Sequence, residues 1–342
     1  MPGPHPTVAA TRVAVRATLR RLSAEHPAGH PTGHSTGQDP PLVLVACSGG
    51  ADSLALAAAT AFEAPRAGLR AGAIIIDHGL QAGSEHVAQA AAQACATLLL
   101  EPVLVEQVQV ATAGDGWGDG PEAAARDARY RALAQAARAT GAVAVLLGHT
   151  RDDQAEQVLL GLARGSGARS LAGMPARRGH LWRPLLALDR ATTLAACTHQ
   201  GLSAWHDPHN ADERYTRVRA RRLLAELEQG LGPGVAAALT RTADLLRADD
   251  EALTDLAQRL LVELPERGPW PVAALLDAPP AIRARLLRLA CARAGTGALG
   301  RVHIEAIDGL LRDAGRGPAA LPGGWRVRRH AAHVDLEPPP SG

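Results

Sequence analysis

The sequence has 342 residues, of which 46% are hydrophobic and 20% charged. This composition excludes a disordered chain, and the length suffices for one large domain with one or two small ones. No apolar run approaches the length of a transmembrane helix, and residues 1–24 lack the apolar core of a signal peptide, so we expect a cytoplasmic protein with no membrane partner. The four cysteines form no CxxC pair, which excludes the usual spacing of zinc and cluster sites and is typical of reduced thiols.

The net charge of +2 conceals an uneven distribution along the chain. Residues 164–222 carry 11 arginines and 4 acids, a net charge of +7, and residues 281–330 carry 10 arginines and 3 acids, again +7. Between these blocks, residues 223–280 carry 4 arginines and 10 acids, a net charge of −6. Two basic blocks favour a partner with phosphates, and solvated helical faces explain them equally well at this level.

The first half of the chain alternates between apolar runs and helical patterns, after a predicted helix at 8–24 and a linker rich in Pro, Gly and His at 25–41. Strands that are apolar throughout and alternate with helices predict an α/β fold, with a parallel sheet covered by helices on both faces. Ligands of such sheets bind at the carboxyl ends of the strands. The predicted strands are 42–47, 71–76, 102–109 and 142–147, and the predicted helices are 52–63, 84–99, 121–140 and 151–164.

The pattern changes after residue 164. Residues 165–184 are rich in Gly, Arg and Pro and predict a loop, and helices are predicted at 189–201 and 214–229. A small helical domain is predicted over 233–317, and a weak alternation around Pro-Gly-Gly predicts a hairpin over 321–337. We therefore expect three parts: an N-terminal helix and flexible linker (1–41), a catalytic α/β domain (42–229), and a helical domain with a short terminal hairpin (230–342).

One short segment joins the first predicted strand to the following helix, and its residues are Ser48, Gly49, Gly50, Ala51, Asp52 and Ser53. Adjacent glycines at a helix N-terminus expose backbone N–H groups where the helix dipole is positive, which predicts a phosphate-binding loop. The Walker A and Rossmann glycine patterns are both absent. Asp52 suits a phosphate site only if a cation accompanies the anion, and it fits Mg²⁺ bound with a nucleotide. The alternative is a tight turn with a helix cap.

A second polar cluster follows the fourth predicted strand. Thr150 and Asp153 have the spacing of a capping box, and Asp153 and Glu156 are three residues apart, so both can point from the first helical turn into the cleft. Acids beside a polyphosphate repel it unless a metal or a cationic substrate lies between them. The alternative is capping with a solvated face. Arg126 and Tyr130 share one face of the preceding helix because they are four residues apart.

The SGGADS segment resembles the pyrophosphate loop of the ATP pyrophosphatase (PP-loop) superfamily, whose fold is the adenine nucleotide alpha hydrolase type. Further motifs narrow the resemblance: GHTRDDQAE at 148–156, RPLL at 183–186, WHDPHN at 205–210 and RVRAR at 217–221. Together they are similar to the tRNA(Ile)-lysidine synthase family. The resemblance covers about residues 42–229 and is weaker but compatible through 330.

The resemblance implies a reaction in two steps. ATP adenylates the C2 oxygen of the wobble cytidine in an isoleucine tRNA with a CAU anticodon, and the ε-amine of free L-lysine then attacks C2 and releases AMP. The implied cofactors are ATP and Mg²⁺, with Asp52 as the tentative metal ligand. The implied partners are that tRNA and free lysine, with a homodimer as a further option. The residues expected to hold the nucleotide are Ser48, Gly49, Gly50, Ala51, Asp52, Ser53, Ile76, Asp77, His78, Gly148 and His149.

The resemblance also assigns the chemistry. Asp52 is expected to act in catalysis, and Asp153 and Glu156 to bind the lysine ammonium and accept its proton. Arg217 and Arg221 are expected to stabilise phosphate charge or grip the anticodon loop, in roles that the sequence does not apportion between them and Arg219. Arg151 stands where we expect a small residue, and the C-terminal module is shorter than in larger members of the family.

Two other functions fit parts of the sequence. One is a different tRNA-modifying enzyme of the same fold, a thiolase, although such enzymes generally use cysteine pairs. The other is a non-catalytic nucleotide-binding RNA protein, which would not need Asp52, Asp153 and Glu156 together. An amidotransferase-type synthetase would normally bring a glutaminase domain with a cysteine nucleophile motif, which the sequence lacks.

Overall fold

The computed structural model describes residues 3–27, 39–77, 79, 83–108, 121–165, 167–205, 207 and 212–339, with side chains from 126 onward in the helix that begins at 121. Most of the predicted linker and the predicted nucleotide residue His78 lie outside the described residues. The chain divides into two compact units, Met1–Ala243 and Asp244–Gly342. The division falls inside one long helix, so the predicted domain boundary at 229/230 stays a prediction.

The first unit contains a six-stranded sheet. Its strands are β1 (Leu42–Ala46), β2 (Arg70–Asp77), β3 (Val103–Gln107), β4 (Ala144–Leu147), β5 (Arg177–Arg178) and β6 (Leu181–Trp182). They lie in the order β3-β2-β1-β4-β6-β5, and all neighbouring pairs are parallel except β5 with β6. The predicted parallel sheet is confirmed. Because the chain order reverses between β1 and β4, a crevice for ligands is expected where these two strands end.

Helices cover both faces of this sheet, as predicted. Alternate residues of β1 point to opposite sides: Val43 and Val45 belong to one apolar cluster, and Leu42, Leu44 and Ala46 belong to another. The first cluster includes residues of α1, α2, α3 and α7, and the second includes residues of α4. The helices of this unit are α1 (Pro6–Glu25), α2 (Ala51–Glu63), α3 (Ser84–Thr97), α4 (Pro121–Thr140), α5 (Arg151–Ala163), α6 (Ala168–Leu171), α7 (Arg190–His199) and α8 (Thr216–Leu231).

The segment 165–184, predicted to be a loop, contains α6, β5 and β6. Each of these elements has only two to four residues, which is too short to produce a periodic pattern. Trp182 of β6 is buried and pairs with Leu146 of β4, so the segment extends the sheet beyond β4.

A 28-residue helix, α9 (Val235–Val262), leads into the second unit. That unit contains the expected helices, α10 (Val272–Asp277), α11 (Pro280–Arg293) and α12 (Arg301–Arg312). It also contains an antiparallel sheet, of which only the hairpin within 321–337 was predicted. The sheet has the order β7-β10-β9-β8 and includes a hairpin within 321–337. Its strands are β7 (Trp270–Pro271), β8 (Ala319–Ala320), β9 (Arg326–His330) and β10 (His333–Glu337).

The core of the second unit is built around Trp270, which is fully buried and donates from its indole N–H to the Pro265 carbonyl at 2.8 Å. Alternate residues of the hairpin, including Val327, Val334 and Leu336, complete this core. None of the helices in the described ranges is long and apolar enough to span a bilayer.

Candidate functional site

The loop between β1 and α2 has the geometry of an anion cradle. Gly49 has a φ of +81°, a backbone conformation that side chains rarely adopt, and Gly50 is the N-cap of α2. The Ser53 hydroxyl accepts a hydrogen bond from the Ser48 N–H at 3.1 Å and donates to the Gly50 carbonyl at 2.9 Å. These bonds hold the turn closed at the helix N-terminus, where backbone N–H groups and the helix dipole favour an anion.

Gly148 lies at the end of β4, beside the start of α2. A Cβ on Gly148 would be 3.2 Å from the carbonyl carbon and oxygen of Asp52 and from the Cα of Ser53. The absence of a side chain therefore lets the first turn of α2 pack closely against the end of β4. Gly148 therefore has a packing role in the structure. Its role in nucleotide binding stays a prediction from the sequence.

Three carboxylates converge on one guanidinium. Arg190, the first residue of α7, places Nη2 2.8 Å from Asp153 Oδ1, Nη1 3.2 Å from Glu156 Oε1, and Nε 3.6 Å from Asp52 Oδ2. The Glu156 side chain is only 3% exposed, whereas those of Arg190 and Asp52 are about one quarter exposed. The site thus joins the phosphate loop to the two acids of α5 through an internal cation.

Several contacts aim Arg190 into this cluster. Its backbone N–H donates to Asp152 Oδ2 at 2.7 Å, and the neighbouring Asp189 caps α7 by accepting from the Thr192 N–H at 2.7 Å. Arg151 Nη2 in turn donates to Asp189 Oδ2 at 2.9 Å. The arginine at 151, unexpected from the sequence, therefore ties the start of α5 to the start of α7.

The electrostatic environment differs among the acids. Burial raises the pKa of Asp52, although a hydrogen bond from the Thr193 hydroxyl and the charge of Arg190 oppose this effect. Burial also acts to raise the pKa of Asp153, but the charge of Arg190 and the hydrogen bonds from the Thr150 N–H and hydroxyl outweigh it, and the pKa is lowered. Asp153 therefore stays ionised at neutral pH.

A basic region lies on the other side of Asp153. Burial, with the charges of Arg129, Arg183 and Arg126, lowers the pKa of His149 to about 3, so its imidazole is neutral at physiological pH. Among the described residues its buried Nδ1 has no hydrogen-bond partner. Arg126 Nη2 lies 3.2 Å from the Tyr130 hydroxyl, which brings together the pair predicted to share one helix face. The region offers cations and one uncharged ring nitrogen to a ligand.

The three arginines at the start of α8 have different surroundings. Arg221 Nε donates to Glu156 Oε1 at 2.8 Å and so joins the acidic cluster. Arg217 lies four residues away on the same face and acts electrostatically on Arg129. Arg219 is exposed and donates to the carbonyls of Glu213 and Arg214, so it supports the segment that enters α8.

Comparison with known proteins decides the family. Residues 25–228 match the PP-loop domain family, and residues 271–334 match the TilS substrate binding domain family. The chain is 53% identical to the tRNA(Ile)-lysidine synthase of Streptomyces coelicolor over 97% of this chain and 98% of that protein. It is 51% identical to that of Thermobifida fusca over 98% of both. The chain belongs to the tRNA(Ile)-lysidine synthase family.

A solved structure supports the fold. The U34-tRNA thiolase NcsA from Methanococcus maripaludis, with its [4Fe-4S] cluster, matches with a TM-score of 0.56 over 70% of this chain and 80% of that chain, at 18% identity. At this identity the likeness concerns the fold alone. The tRNA(Ile)-lysidine synthase relatives do not favour a thiolase function for this chain, and its four cysteines are all buried free thiols.

Three further residues singled out in the sequence, Ile76, Asp77 and Gln154, have defined positions. Ile76 and Asp77 end β2, and the Asp77 carboxylate, which is buried, accepts from the Gly79 N–H at 3.0 Å. Gln154, buried in α5, exchanges hydrogen bonds with the backbone of Met174 at 2.6 and 2.8 Å and so anchors the segment before β5. Asn210 of the WHDPHN motif lies outside the described residues.

Sequence reasoning missed Arg190. It lies in the basic block 164–222 and in a predicted helix, but no motif of the tRNA(Ile)-lysidine synthase family singled it out. One signal was available, since acids beside a phosphate loop require a nearby cation. A metal or the substrate meets that requirement equally well at the level of sequence, and nothing local indicates an arginine 34 to 38 residues away.

Proposed function

We propose that this protein ligates free L-lysine to C2 of the wobble cytidine in an isoleucine tRNA with a CAU anticodon, at the expense of ATP, giving lysidine, AMP and pyrophosphate. The family to which the chain belongs supports the reaction. The observation that carries the proposal is the convergence of Asp52, from the phosphate loop, with Asp153 and Glu156 on Arg190. The closeness of these carboxylates to the start of α2 supports a cation-binding role beside the proposed phosphate loop.

The loop 48–53 is proposed to bind the phosphates that leave as pyrophosphate. The first backbone N–H groups of α2 and its helix dipole would neutralise charge on the departing oxygens, as preorganised donors do in acyl and phosphoryl transfer. Asp52 fits a role as a magnesium ligand, because Mg²⁺ is held by one or two carboxylates together with substrate phosphates. When bound, Mg²⁺ would withdraw charge from the phosphate oxygens.

Activation of the cytidine requires positioning more than proton transfer. The C2 oxygen forms a bond to the α-phosphorus of ATP, the bond to the β-phosphate oxygen breaks, and pyrophosphate leaves. We propose that Arg126, Arg129 and the neutral His149 line the site of this step, since cations stabilise the charge on phosphorus and an uncharged imidazole can accept or donate one hydrogen bond.

In the second step the lysine ε-amine attacks C2, and the bond from C2 to the AMP oxygen breaks. The ammonium must lose a proton before it attacks. Asp153, whose pKa is lowered, suits binding of the ammonium better than acceptance of its proton. We therefore propose that Asp153 orients the amine and that the entering ammonium displaces Arg190 from its contacts. Glu156 is the candidate proton acceptor once Arg190 has moved away from it.

The two basic blocks, 164–222 and 281–330, are proposed to bind the tRNA backbone. Residues 164–222 contain Arg217 and Arg221, which lie beside the acidic cluster and the basic region, and we propose that they contact the anticodon loop. The second block, 281–330, is proposed to contact another part of the tRNA backbone. Arg219, which supports local structure, is not part of this proposal.

A pyrophosphate assay separates this proposal from a non-catalytic nucleotide-binding RNA protein. The full chain is incubated with Mg-ATP and a CAU isoleucine tRNA transcript, first without and then with lysine. We expect pyrophosphate release that requires the tRNA and is lost when the wobble C is changed to U. Tight tRNA binding without pyrophosphate release would contradict the proposal.

A further inference from the structure

The outer face of the terminal hairpin presents two histidines and an aspartate. Side chains of β10 alternate between faces, so Val334 and Leu336 point into the core while His333, Asp335 and Glu337 share the opposite face. On β9, His330 pairs directly with His333 and therefore lies on the same face.

The potential ligand atoms of these three residues converge. His330 Nε2 lies 3.4 Å and His333 Nε2 lies 3.5 Å from the same oxygen, Asp335 Oδ2. All three ligand atoms lie within 4.8 Å of one another, and the two rings are stacked with centroids 5.1 Å apart. Within the part of the chain that the structure describes, no other group of three or more His, Cys, Asp or Glu residues brings its ligand atoms this close together.

The two distances to the carboxylate match the edge of a metal polyhedron. Zinc is bound by imidazole nitrogen and carboxylate oxygen at about 2.0–2.2 Å, so neighbouring ligands of a tetrahedral site are roughly 3.3–3.5 Å apart. The two distances from Asp335 Oδ2 are equal to such an edge within about 0.2 Å. Side-chain exposures of 47%, 42% and 35% for His330, His333 and Asp335 leave the site open to an entering ion.

The surroundings hold the carboxylate in place for this role. Arg328 is directly opposite Asp335 in the strand pairing, yet its Nε donates to Glu337 at 2.6 Å. On the other side, Gly268, with a φ of +107°, packs so closely that a Cβ there would be 3.0 Å from Asp335 Oδ1. Asp335 Oδ2 is therefore directed to the two histidines.

We propose that His330, His333 and Asp335 form a binding site for a divalent first-row transition metal of the zinc class. Two imidazoles and one carboxylate suit zinc and disfavour the hard cations Mg²⁺ and Ca²⁺. Three protein ligands leave a further coordination position for water or an external ligand. The metal joins β9 to β10 across the turn, and the site is independent of the proposed reaction centre.

The test is a titration of the full-length, chelator-treated protein with Zn²⁺ by calorimetry, and with Co²⁺ by visible absorption. We expect one equivalent bound at this site, with the intense Co²⁺ absorption of a site of low coordination number. Changing His333→Ala or Asp335→Asn is expected to weaken Zn²⁺ binding by at least about tenfold, the loss seen even when only a partner of a ligand is removed. The asparagine variant preserves side-chain shape, so it also guards against misfolding of the hairpin.

The matched control concerns the other histidine-rich part of the chain. A triple variant, with His26, His30 and His34 changed to alanine, is expected to keep the bound equivalent and the Co²⁺ spectrum. Binding that disappears in this control, or that persists unchanged in a His330→Ala/His333→Ala double variant, would overturn the proposal. Failure of the wild-type protein to bind Zn²⁺ at micromolar concentration would do the same.

Discussion

Arg190 and Asp153 form an ion pair of 2.8 Å between residues 37 positions apart in the sequence. The same guanidinium contacts Glu156 and faces Asp52, so three acids next to the predicted phosphate loop share one cation. The carboxylates proposed to receive the lysine ammonium are thus partly charge-compensated before a substrate arrives. Arg190 thereby relieves the cost of leaving these carboxylates unpaired, and under the proposed reaction the lysine ammonium must compete with Arg190 for them.

Changing Arg190→Ala is expected to destabilise the protein by about 1–3 kcal/mol at pH 7. Removing one member of a buried pair typically costs about 3–5 kcal/mol, and the partial exposure of Arg190 reduces that figure through solvent screening. Urea unfolding measures the effect. The matched control is Arg301→Ala, which removes an exposed pair with Glu305 and should cost less than about 1 kcal/mol.

The effect of Arg190→Ala depends on pH with a definite sign. Because the pKa of Asp153 is lowered in the folded protein, its stabilising contribution is present above its unfolded pKa of about 3.9 and is lost as the pH falls through the lower folded value. The stability gap between wild type and variant should therefore be largest near neutral pH and narrow below about pH 4. A gap that stays constant down to pH 3 would contradict the assigned pairing.

Changing Asp52→Ala is expected to abolish tRNA-dependent pyrophosphate release while the fold is retained. Asp52 lies in the first turn of α2, where loss of a charge–dipole interaction costs up to about 1 kcal/mol, and the burial that raises its pKa offsets part of this cost. Glu85→Ala, in the first turn of α3, is the matched control and should remain active. Normal turnover of the Asp52 variant would remove this residue from the mechanism.

Changing Asp153→Asn is expected to separate the two chemical steps. Loss of the carboxylate should raise the KM for lysine by about tenfold or more, whereas pyrophosphate release in the absence of lysine should persist, because adenylation does not involve the amine.

Glu156→Gln should lower kcat for lysine transfer more than it raises KM if Glu156 accepts the proton. Glu226→Gln, an exposed change on α8, is the control. If Asp153→Asn slowed pyrophosphate release as much as lysine transfer, Asp153 would act in nucleotide binding, which would contradict its proposed role in binding the lysine ammonium.

His149 should destabilise the folded protein as the pH falls. Burial, together with Arg129 and the other nearby cations, lowers the pKa of this histidine to about 3, whereas an unfolded histidine has a value of about 6.5. Below about pH 6.5 the unfolded chain binds a proton that the folded protein does not, so His149 costs about 2 kcal/mol of stability by pH 5. His149→Asn should remove that part of the pH dependence. Titration of the His149 ring near pH 6.5, followed by NMR in the folded protein, would contradict this account.

The strands and helices of the first unit could be predicted because each carries a strong local signal. The run 42–47 is apolar throughout and ends at adjacent glycines, and the observed strand is Leu42–Ala46. Helix 121–140 opens with a proline and is observed over the same residues. In the second unit the hairpin within 321–337 was predicted, whereas β7 and β8 escaped prediction because each has only two residues, and Trp270 is buried by contacts distant in sequence.

In the candidate site, too, some residues could be predicted from local sequence and others could not. The phosphate loop, the capping box of Thr150 and Asp153, and the acids of α5 follow from local spacing, and these elements lie together at the ends of β1 and β4. Arg190 does not follow, since its role depends on how α7 packs against α2 and on the tie between Arg151 and Asp189. Such contacts arise from tertiary packing, which no spacing within a single segment encodes.

The most direct test of the proposed reaction is transfer of labelled free lysine to tRNA by the full-length protein. The assay contains Mg-ATP and an isoleucine tRNA transcript with a CAU anticodon, and a transcript with U at the wobble position serves as the control. We predict ATP-dependent incorporation of label into the first tRNA and none into the second. ATP-dependent pyrophosphate release without lysine incorporation, or equal incorporation into both transcripts, would contradict the assignment of lysine and the wobble cytidine as the substrates.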